Sequence, residues 1–298
     1  MSKDSQRWDH QNPHPIRFGS LVLTASLSTT LTHATPGGLV EAFTVEIITV
    51  GNELLSGRVV NTNASWIADN VTRLGGLVKR ITMVGDDVEE CSAAIREALA
   101  RKPRLIITTG GLGPTFDDRT LESIAVALGL SMELSEEALR MIEEKYGREV
   151  TPPRLKMARL PRGGKPLYNP VGTAPGCLIE AGDVVMVALP GVPSEMKAMF
   201  ETHVKPMILK LSRAAYASKL IKVDMIEESS LAPMIEEVMR KCKAVYVKSR
   251  PKRDGEAYIE VEVSSRAPTM KEAEENVAEA CELLKELIVR AGAKAQEI

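Results

Sequence analysis

The chain has 298 residues, 44% of them hydrophobic and 26% charged, with a formal net charge of −2 at pH 7. That length fits about two domains of ~150 residues each. The near-neutral balance excludes a whole-surface attraction to nucleic acid or anionic membrane, and no apolar run approaches the ~20 residues needed to span a bilayer. In chain order, residues 1–42 are rich in Ser, Thr, His and Pro with no sustained period, and read as a disordered N-terminal extension. Within it "FGSLVLTASLSTTLTHA" (18–34) faintly resembles a secretory signal, but its apolar run is short and broken by Ser and Thr. From Phe43 onward strands and helices alternate. "FTVEIITV" (43–50) is a β-branched strand, and 63–76 places Ala64, Ile67, Val71 and Leu74 on one helical face before two glycines. A strand over 77–84, a helix over 88–102, a strand over 104–109 and helices over 119–130 and 135–147 follow. Residues 177–191 supply strand material, and 194–211 return to helix with a break expected at Pro206. Strands alternating with helices of this length imply a parallel sheet covered on both faces.

The remainder differs. A strand over 217–226, a helix over 231–242, a hairpin of 244–249 with 257–265 around "RPKRDGE" and a long helix over 271–292 give a βαββα order. That is a small α+β domain over 213–298, after a larger α/β domain over 43–212. Its basic hairpin, with Lys248, Arg250, Lys252 and Arg253, reads as a solvated tip. The strand order is KH-like, but there is no Gly-x-x-Gly clamp, so no nucleic-acid partner is expected.

Residue types narrow the chemistry. Three of the four histidines, His10, His14 and His33, precede the folded body, and His203 lies mid-helix. This leaves almost no room for histidine-based zinc sites, Ser-His-Asp triads or Cys-His pairs. The four cysteines, Cys91, Cys177, Cys242 and Cys281, lie far apart, the pattern of small buried apolar residues in a reducing cytoplasm. Polar chemistry therefore falls to carboxylates, hydroxyls, amides, Lys or Arg. In open parallel sheets ligands bind outside the carboxyl ends of the strands, and there the unusual residues lie. The first loop holds Glu53, Asn61 and Asn63, the second Asp86 and Asp87, the third "GGLGPTFDD" and the late one Ser194 and Glu195. Each has a structural alternative: Asn61, Asn63 and Asp86 as helix caps, Ser194 and Glu195 as a helix start, Glu53 as a surface acid. Gly110, Gly111 and Gly113 at a strand end suit an anion, yet the loop is neither Walker A nor Gly-x-Gly-x-x-Gly.

In order, "VGNELLSGRVVNTNASWIADNVTRLG", "VGDD", "IITTGGLGPTFDDRT", "NPVGTAPG" and "ALPGVPSEM" resemble the CinA N-terminal type of the molybdopterin-binding family, which includes MogA, MoaB and gephyrin. The resemblance runs from about Val45 to Leu211, and the βαββα piece resembles the KH-like domain that follows in CinA. It does not extend to the nicotinamide mononucleotide deamidase domain of full-length CinA, so deamidation is not expected. The resemblance implies a three-layer α/β/α domain with a mostly parallel sheet, a cytoplasmic homo-oligomer and a pterin or nucleotide ligand. By motif, Asp86 and Asp118 match the aspartates of pterin adenylylation in the MogA branch. "GNELLSG" and "NPVGTAPG" instead match the CinA branch, which, like the domain fused to FAD synthase, is credited with metal-dependent cleavage of ADP-ribose or FAD pyrophosphate.

The expected site follows from that resemblance. Gly110, Gly111, Gly113 and Thr115 hold phosphate, with Asn61, Asn63, Ser194 and Glu195 as further ligand contacts. Asp117 and Asp118 hold Mg²⁺, Mn²⁺ or Co²⁺ against phosphate oxygens, which turns two repelling acids into favourable neighbours of an anion. Asp86, Asp118 and Glu53 are the catalytic candidates, with carboxylate as the natural base where histidine is missing. A pterin or nucleotide holder without turnover, and nucleotidyl transfer of the molybdenum-cofactor kind, are the alternatives.

Overall fold

The computed structural model describes residues 43–147, 151–252 and 257–298, so the expected extension over 1–42 and part of the expected hairpin tip lie outside the described residues. Strand β1 (Phe43–Val50) leads into one helical turn, α1 (Asn52–Leu55), then α2 (Thr62–Arg73), β2 (Gly76–Val84), α3 (Val88–Ala100), β3 (Leu105–Thr109) and α4 (Thr120–Leu128). A short strand β4 (Met132–Leu134), helices α5 (Glu136–Tyr146) and α6 (Pro152–Met157) and strand β5 (Arg159–Pro161) follow, with β4 and β5 paired antiparallel. Strands β6 (Lys165–Leu167), β7 (Gly176–Ala181) and β8 (Val184–Leu189) then lead to α7 (Pro193–Met199) and α8 (Lys205–Leu211).

The large sheet has the order β2-β1-β3-β8-β7-β6. Strands β2, β1, β3 and β8 run parallel, and β7 is antiparallel to both neighbours. Central strands covered on both faces need apolar residues on both faces, which is why β1 and β3 are nearly continuous runs of Ile, Val, Leu and Thr. Alternation divides these residues between two cores. Ile48, Val50 and Ile106 pack with Cys91 and Ile95 of α3 and Ile124 of α4. Val45, Ile47, Leu105 and Ile107 pack on the other face with Ile67 and Val71 of α2 and Ile208 of α8. The expected three-layer α/β/α arrangement results, and each such fully buried side chain stabilises it by about 1.5–3 kcal/mol relative to exposure.

Side chains fix the helix starts. Asn61 Oδ1 accepts from the Ala64 N–H at 3.1 Å ahead of α2, and Asp87 Oδ1 accepts from the Glu90 N–H at 2.9 Å ahead of α3. The cap of α3 is thus Asp87 rather than Asp86. The helix expected over 194–211 is interrupted by a π turn, Phe200–Val204, between α7 and α8. Pro206, in the first turn of α8, has no N–H to return to the Thr202 carbonyl, and the widened turn lies where that bond is missing.

The chain continues through β9 (Ala215–Asp224), α9 (Glu228–Lys241), β10 (Val245–Lys252), β11 (Tyr258–Ala267), α10 (Met270–Arg290) and β12 (Lys294–Glu297). These strands form a separate antiparallel sheet of order β10-β11-β9-β12. Leu231 and Val238 of α9 and Val277 and Leu284 of α10 pack with Ile221, Val223, Val261 and Val263 in a core of its own. The added strand β12, Lys-Ala-Gln-Glu, is too short and polar to register as a strand by pattern. Arg250 and Lys252 are not bare cations: they pair with Glu260 and Glu262 across the hairpin. At the junction with the large sheet, Arg266 Nη2 donates to the Gly76 carbonyl at 2.8 Å. Gly75, at φ +85°, passes so close to Ala214 that a Cβ would lie 1.8 Å from its carbonyl oxygen. Among the described residues no helix is long and apolar enough to cross a membrane.

Candidate active site

Thr49 lies opposite Thr109, and Thr109 opposite Leu189, so β1, β3 and β8 deliver their following loops to one end of the sheet. Side-chain amides tie these loops together. Asn63 Nδ2 donates to the Gly191 carbonyl at 2.7 Å and to Thr109 Oγ1 at 3.2 Å, and Thr109 Oγ1 donates to the Pro190 carbonyl at 2.8 Å. Asn61 Nδ2 donates to Thr49 Oγ1 at 2.9 Å while its oxygen caps α2. Asn61 and Asn63 therefore act as loop ties, and Asn61 is a helix cap as well. Asn63 Oδ1 is buried with no hydrogen-bond partner among the described residues. The result is a cleft of about 710 Å³.

The glycine loop forms its floor. Gly110, at φ +106°, approaches β1 so closely that a Cβ would lie 2.2 Å from the Val50 carbonyl oxygen. Gly111, at φ +66°, is equally close to the Thr120 hydroxyl, which bonds to the Gly110 carbonyl at 2.8 Å. The Gly110 N–H is satisfied by the Leu189 carbonyl at 3.1 Å. Gly111, Leu112 and Gly113 line the cleft, and their N–H groups have no acceptor among the described residues. Unpaired backbone donors in a concave turn are a partial positive charge awaiting an anion.

The acids stand beside them. Asp118 Oδ2 accepts from the Thr115 N–H at 2.9 Å and from its hydroxyl at 2.5 Å, and Asp117 Oδ1 is within hydrogen-bond reach of the same hydroxyl. One hydroxyl has one proton, so it serves only one of the two carboxylates at a time. The Thr115 hydroxyl, and then the backbone amide of Asp117 itself, hold the Asp117 carboxyl below its ordinary range. A Cβ at Gly113 would lie 2.6 Å from Asp118 Oδ2, so any larger residue there would push this carboxylate from its present place. Asp86 accepts from the Asn52 N–H at 2.9 Å, linking the β1 and β2 loops. Glu53 lines the cleft from α1, its carboxylate folded back over Gly51. Glu195, in the first turn of α7, accepts from Asn169 Nδ2 at 2.8 Å. Buried Asn169 in turn accepts from the Val171 and Gly172 N–H groups, holding the 169–176 loop against α7.

Of the residues singled out by sequence, Glu53, Asn61, Asn63, Asp86, Gly110, Gly111, Gly113, Thr115, Asp117, Asp118 and Glu195 share this cleft. Ser194 does not line it: it is exposed on α7 while its neighbour Glu195 turns inward. Among the described residues no three His, Cys, Asp or Glu side chains converge as a ready-made metal cage. Asp117 and Asp118 both reach the Thr115 hydroxyl and so lie close together. Two hard oxygen donors fit a Mg²⁺-like ion, which protein sites commonly hold by one or two carboxylates plus substrate phosphates. Sequence reasoning missed Tyr146, Arg154 and Met157, which also line the cleft, from α5 and α6. The Arg154 guanidinium lies 4.5 Å from the Tyr146 ring centroid, and the Tyr146 hydroxyl bonds to Thr173. The quoted motif "NPVGTAPG" contains Thr173, but nothing local points from there to α5 and α6.

Comparison with known proteins identifies the family and agrees with the fold of the large domain. The family described as "Probable molybdopterin binding domain" matches residues 46–210. A protein of Pyrobaculum calidifontis is 48% identical over 251 residues, spanning 82% of this chain and 95% of its own length. One of Sulfolobus acidocaldarius is 42% identical over 263 residues, spanning 87% and 99%. The crystal structure of the protein CinA, of unknown function, from Thermoplasma acidophilum superimposes with a TM-score of 0.54 at 46% identity, covering 56% of this chain and 98% of that one.

Proposed function

This chain belongs to the probable molybdopterin-binding-domain family, and on that premise we propose that it is a metal-dependent hydrolase of a nucleotide pyrophosphate of the ADP-ribose or FAD type. One observation carries the reading: unpaired amides of Gly111, Leu112 and Gly113 stand next to the Asp117–Asp118 pair on one cleft floor. Amides alone suit a monoanion, and acids alone repel one. Both together suit a phosphate accompanied by a divalent cation. Asp117 and Asp118 would hold that cation, which when bound neutralises phosphate charge and polarises phosphorus. The glycine amides orient one phosphate. Thr115 holds Asp118 through its N–H and shares its one hydroxyl between the two carboxylates, and Lys156 steadies Thr115 by donating to its carbonyl. Glu53, exposed and with no side-chain bond among the described residues, accepts the proton of an attacking water, while Asp86 is partly committed to Asn52. Water adds to one phosphorus, and the bridging P–O bond breaks with its electron pair going to the departing phosphate oxygen. ADP-ribose thereby yields AMP and ribose 5-phosphate.

A holder of pterin or nucleotide without turnover is the second reading, favoured by the scattering of the remaining acids around the cleft. One experiment separates the two: incubation with ADP-ribose, FAD or a pterin nucleotide in Mg²⁺, Mn²⁺ or Co²⁺, following AMP release. Metal-dependent release supports the hydrolase. Saturable binding with no AMP under any metal replaces it with the holder.

A further inference from the structure

Strand β2 is the outermost strand of the large sheet, and among the described residues no strand pairs with its far edge. One bond fixes how its backbone is turned. The Gly51 N–H donates to the Val84 carbonyl at 3.0 Å, so Val84 points its polar groups toward β1. Alternation then turns the N–H and C=O of Met83 and Ile81 outward. Side chains make this edge unusual. Ile81 stands opposite Ile47 and Met83 opposite Thr49, on the face that α2 covers. Val78, earlier in the strand, packs against that core, but Ile81 and Met83 remain 46% and 45% exposed. Leu55 of α1, 52% exposed, adjoins the strand end: its Cδ1 lies 3.5 Å from where a Gly85 Cβ would stand. Single exposed apolar residues need no explanation. Three together along an unpaired edge form a template that another strand completes.

We propose that this edge receives a second copy of the chain, β2 against β2, antiparallel about a two-fold axis, so that the two large sheets become one. Charge selects both the occupant and the direction. Lys79 and Arg80, both exposed, lie before Ile81 in the strand, and Asp86 and Asp87 stand just past its end. Antiparallel self-pairing sets the basic part of each copy against the acidic end of the other, whereas parallel pairing would set like charges together. Ile81, near the middle of the strand, then lies close to the axis and meets its own counterpart, with Met83 and Leu55 flanking it.

The test is sedimentation equilibrium of the full chain over a micromolar dilution series, for the wild type, the double variant Ile81→Lys/Met83→Lys and the control Leu209→Lys, an exposed residue of α8, with thermal melts to check folding. Wild type is expected at twice the 32.5 kDa of one chain. The double variant sets like charges against each other across the axis and is expected to raise the dissociation constant about 100-fold or more, while Leu209→Lys leaves it unchanged. If the double variant does not fold, Ile81→Cys decides: the four native cysteines are buried, so a short bis-maleimide is expected to cross-link Ile81→Cys into a dimer and to leave Leu209→Cys single. A double variant that associates as tightly as wild type, equal weakening by Leu209→Lys, or no cross-link in Ile81→Cys overturns the proposal. So does a monomeric wild type, and if the Ile81→Cys thiol then also resists alkylation, a segment of the same chain covers the edge instead.

Discussion

Replacing Asp118 with asparagine removes one charge from the acid pair and almost no volume. Asp118 Oδ2 accepts from the Thr115 N–H at 2.9 Å and from its hydroxyl at 2.5 Å, and an asparagine oxygen can keep both contacts. Two charge-assisted bonds become neutral ones, a loss of roughly 1–2 kcal/mol. Removing the like charge beside Asp117 offsets part of this. A net change near 1 kcal/mol moves the melting temperature of a chain this size by only about 2–4 °C. On the proposed hydrolase reading, turnover depends on the same carboxylate differently. If Asp118 helps to place positive charge against the phosphorane-like transition state, its loss lowers kcat by about 10²–10³-fold. Nucleotide binding without metal is kept or strengthened, since one repelling charge has gone. AMP release, metal-free binding and thermal melts, measured side by side, distinguish a catalytic acid from a turn former. Full activity together with a lower melting temperature would refute the catalytic role, because only the loop contacts would then have mattered.

Four further outcomes follow from the same geometry. Gly110→Ala drives a Cβ to within 2.2 Å of the Val50 carbonyl at a φ of +106°, so it should destabilise the fold by more than about 2 kcal/mol in urea unfolding; a variant as stable as wild type contradicts the close approach. Arg101→Met strands Glu46, 3% exposed and otherwise held by two 2.7 Å bonds, and should cost roughly 3 kcal/mol, with the Glu46→Gln/Arg101→Met pair recovering a large part; equal stability of single and double variants argues against it. Burial pushes the Cys177 thiol up from 9.0 to about 12. Its folded pKa is raised, so its contribution to stability is fully present below about pH 9 and is lost as pH rises toward about 12, where only the unfolded thiol ionises readily. Melting temperature should fall less steeply over that window in Cys177→Ala, and parallel curves would exclude the effect. The protein should self-associate, as closed symmetric oligomers are the common state; light scattering that reports the single-chain 32.5 kDa at micromolar concentration rules this out.

The layers of the fold were legible because their signals are local. Alternating runs of Ile and Val announced β1 and β3, and a 3.6-residue period announced α2 and α3. The short pieces α1, α6, β4, β5, β6 and β12 were not legible, since three to six residues hold less than two turns or three pleats of pattern. The site divides the same way. Three glycines at a strand end betray a tight loop, and Asp117 and Asp118 are adjacent in sequence. But which of two neighbours faces the ligand depends on rotation that only packing sets. Asp86 turns to Asn52 and Asp87 to its own helix, and Glu195 turns inward while Ser194 faces solvent. Arg154 was invisible for a stronger reason. It lines the cleft from far along the chain, on a helix too short to predict and stacked on a tyrosine held by a third segment. On the proposed reading, the acids and amides of "GGLGPTFDD" are the part that takes one phosphate and one cation, and that part is contiguous in sequence. Arg154 and Tyr146 line the cleft from α6 and α5, and no local pattern in the sequence announces that part of the site, because packing alone brings these short segments to the strand ends.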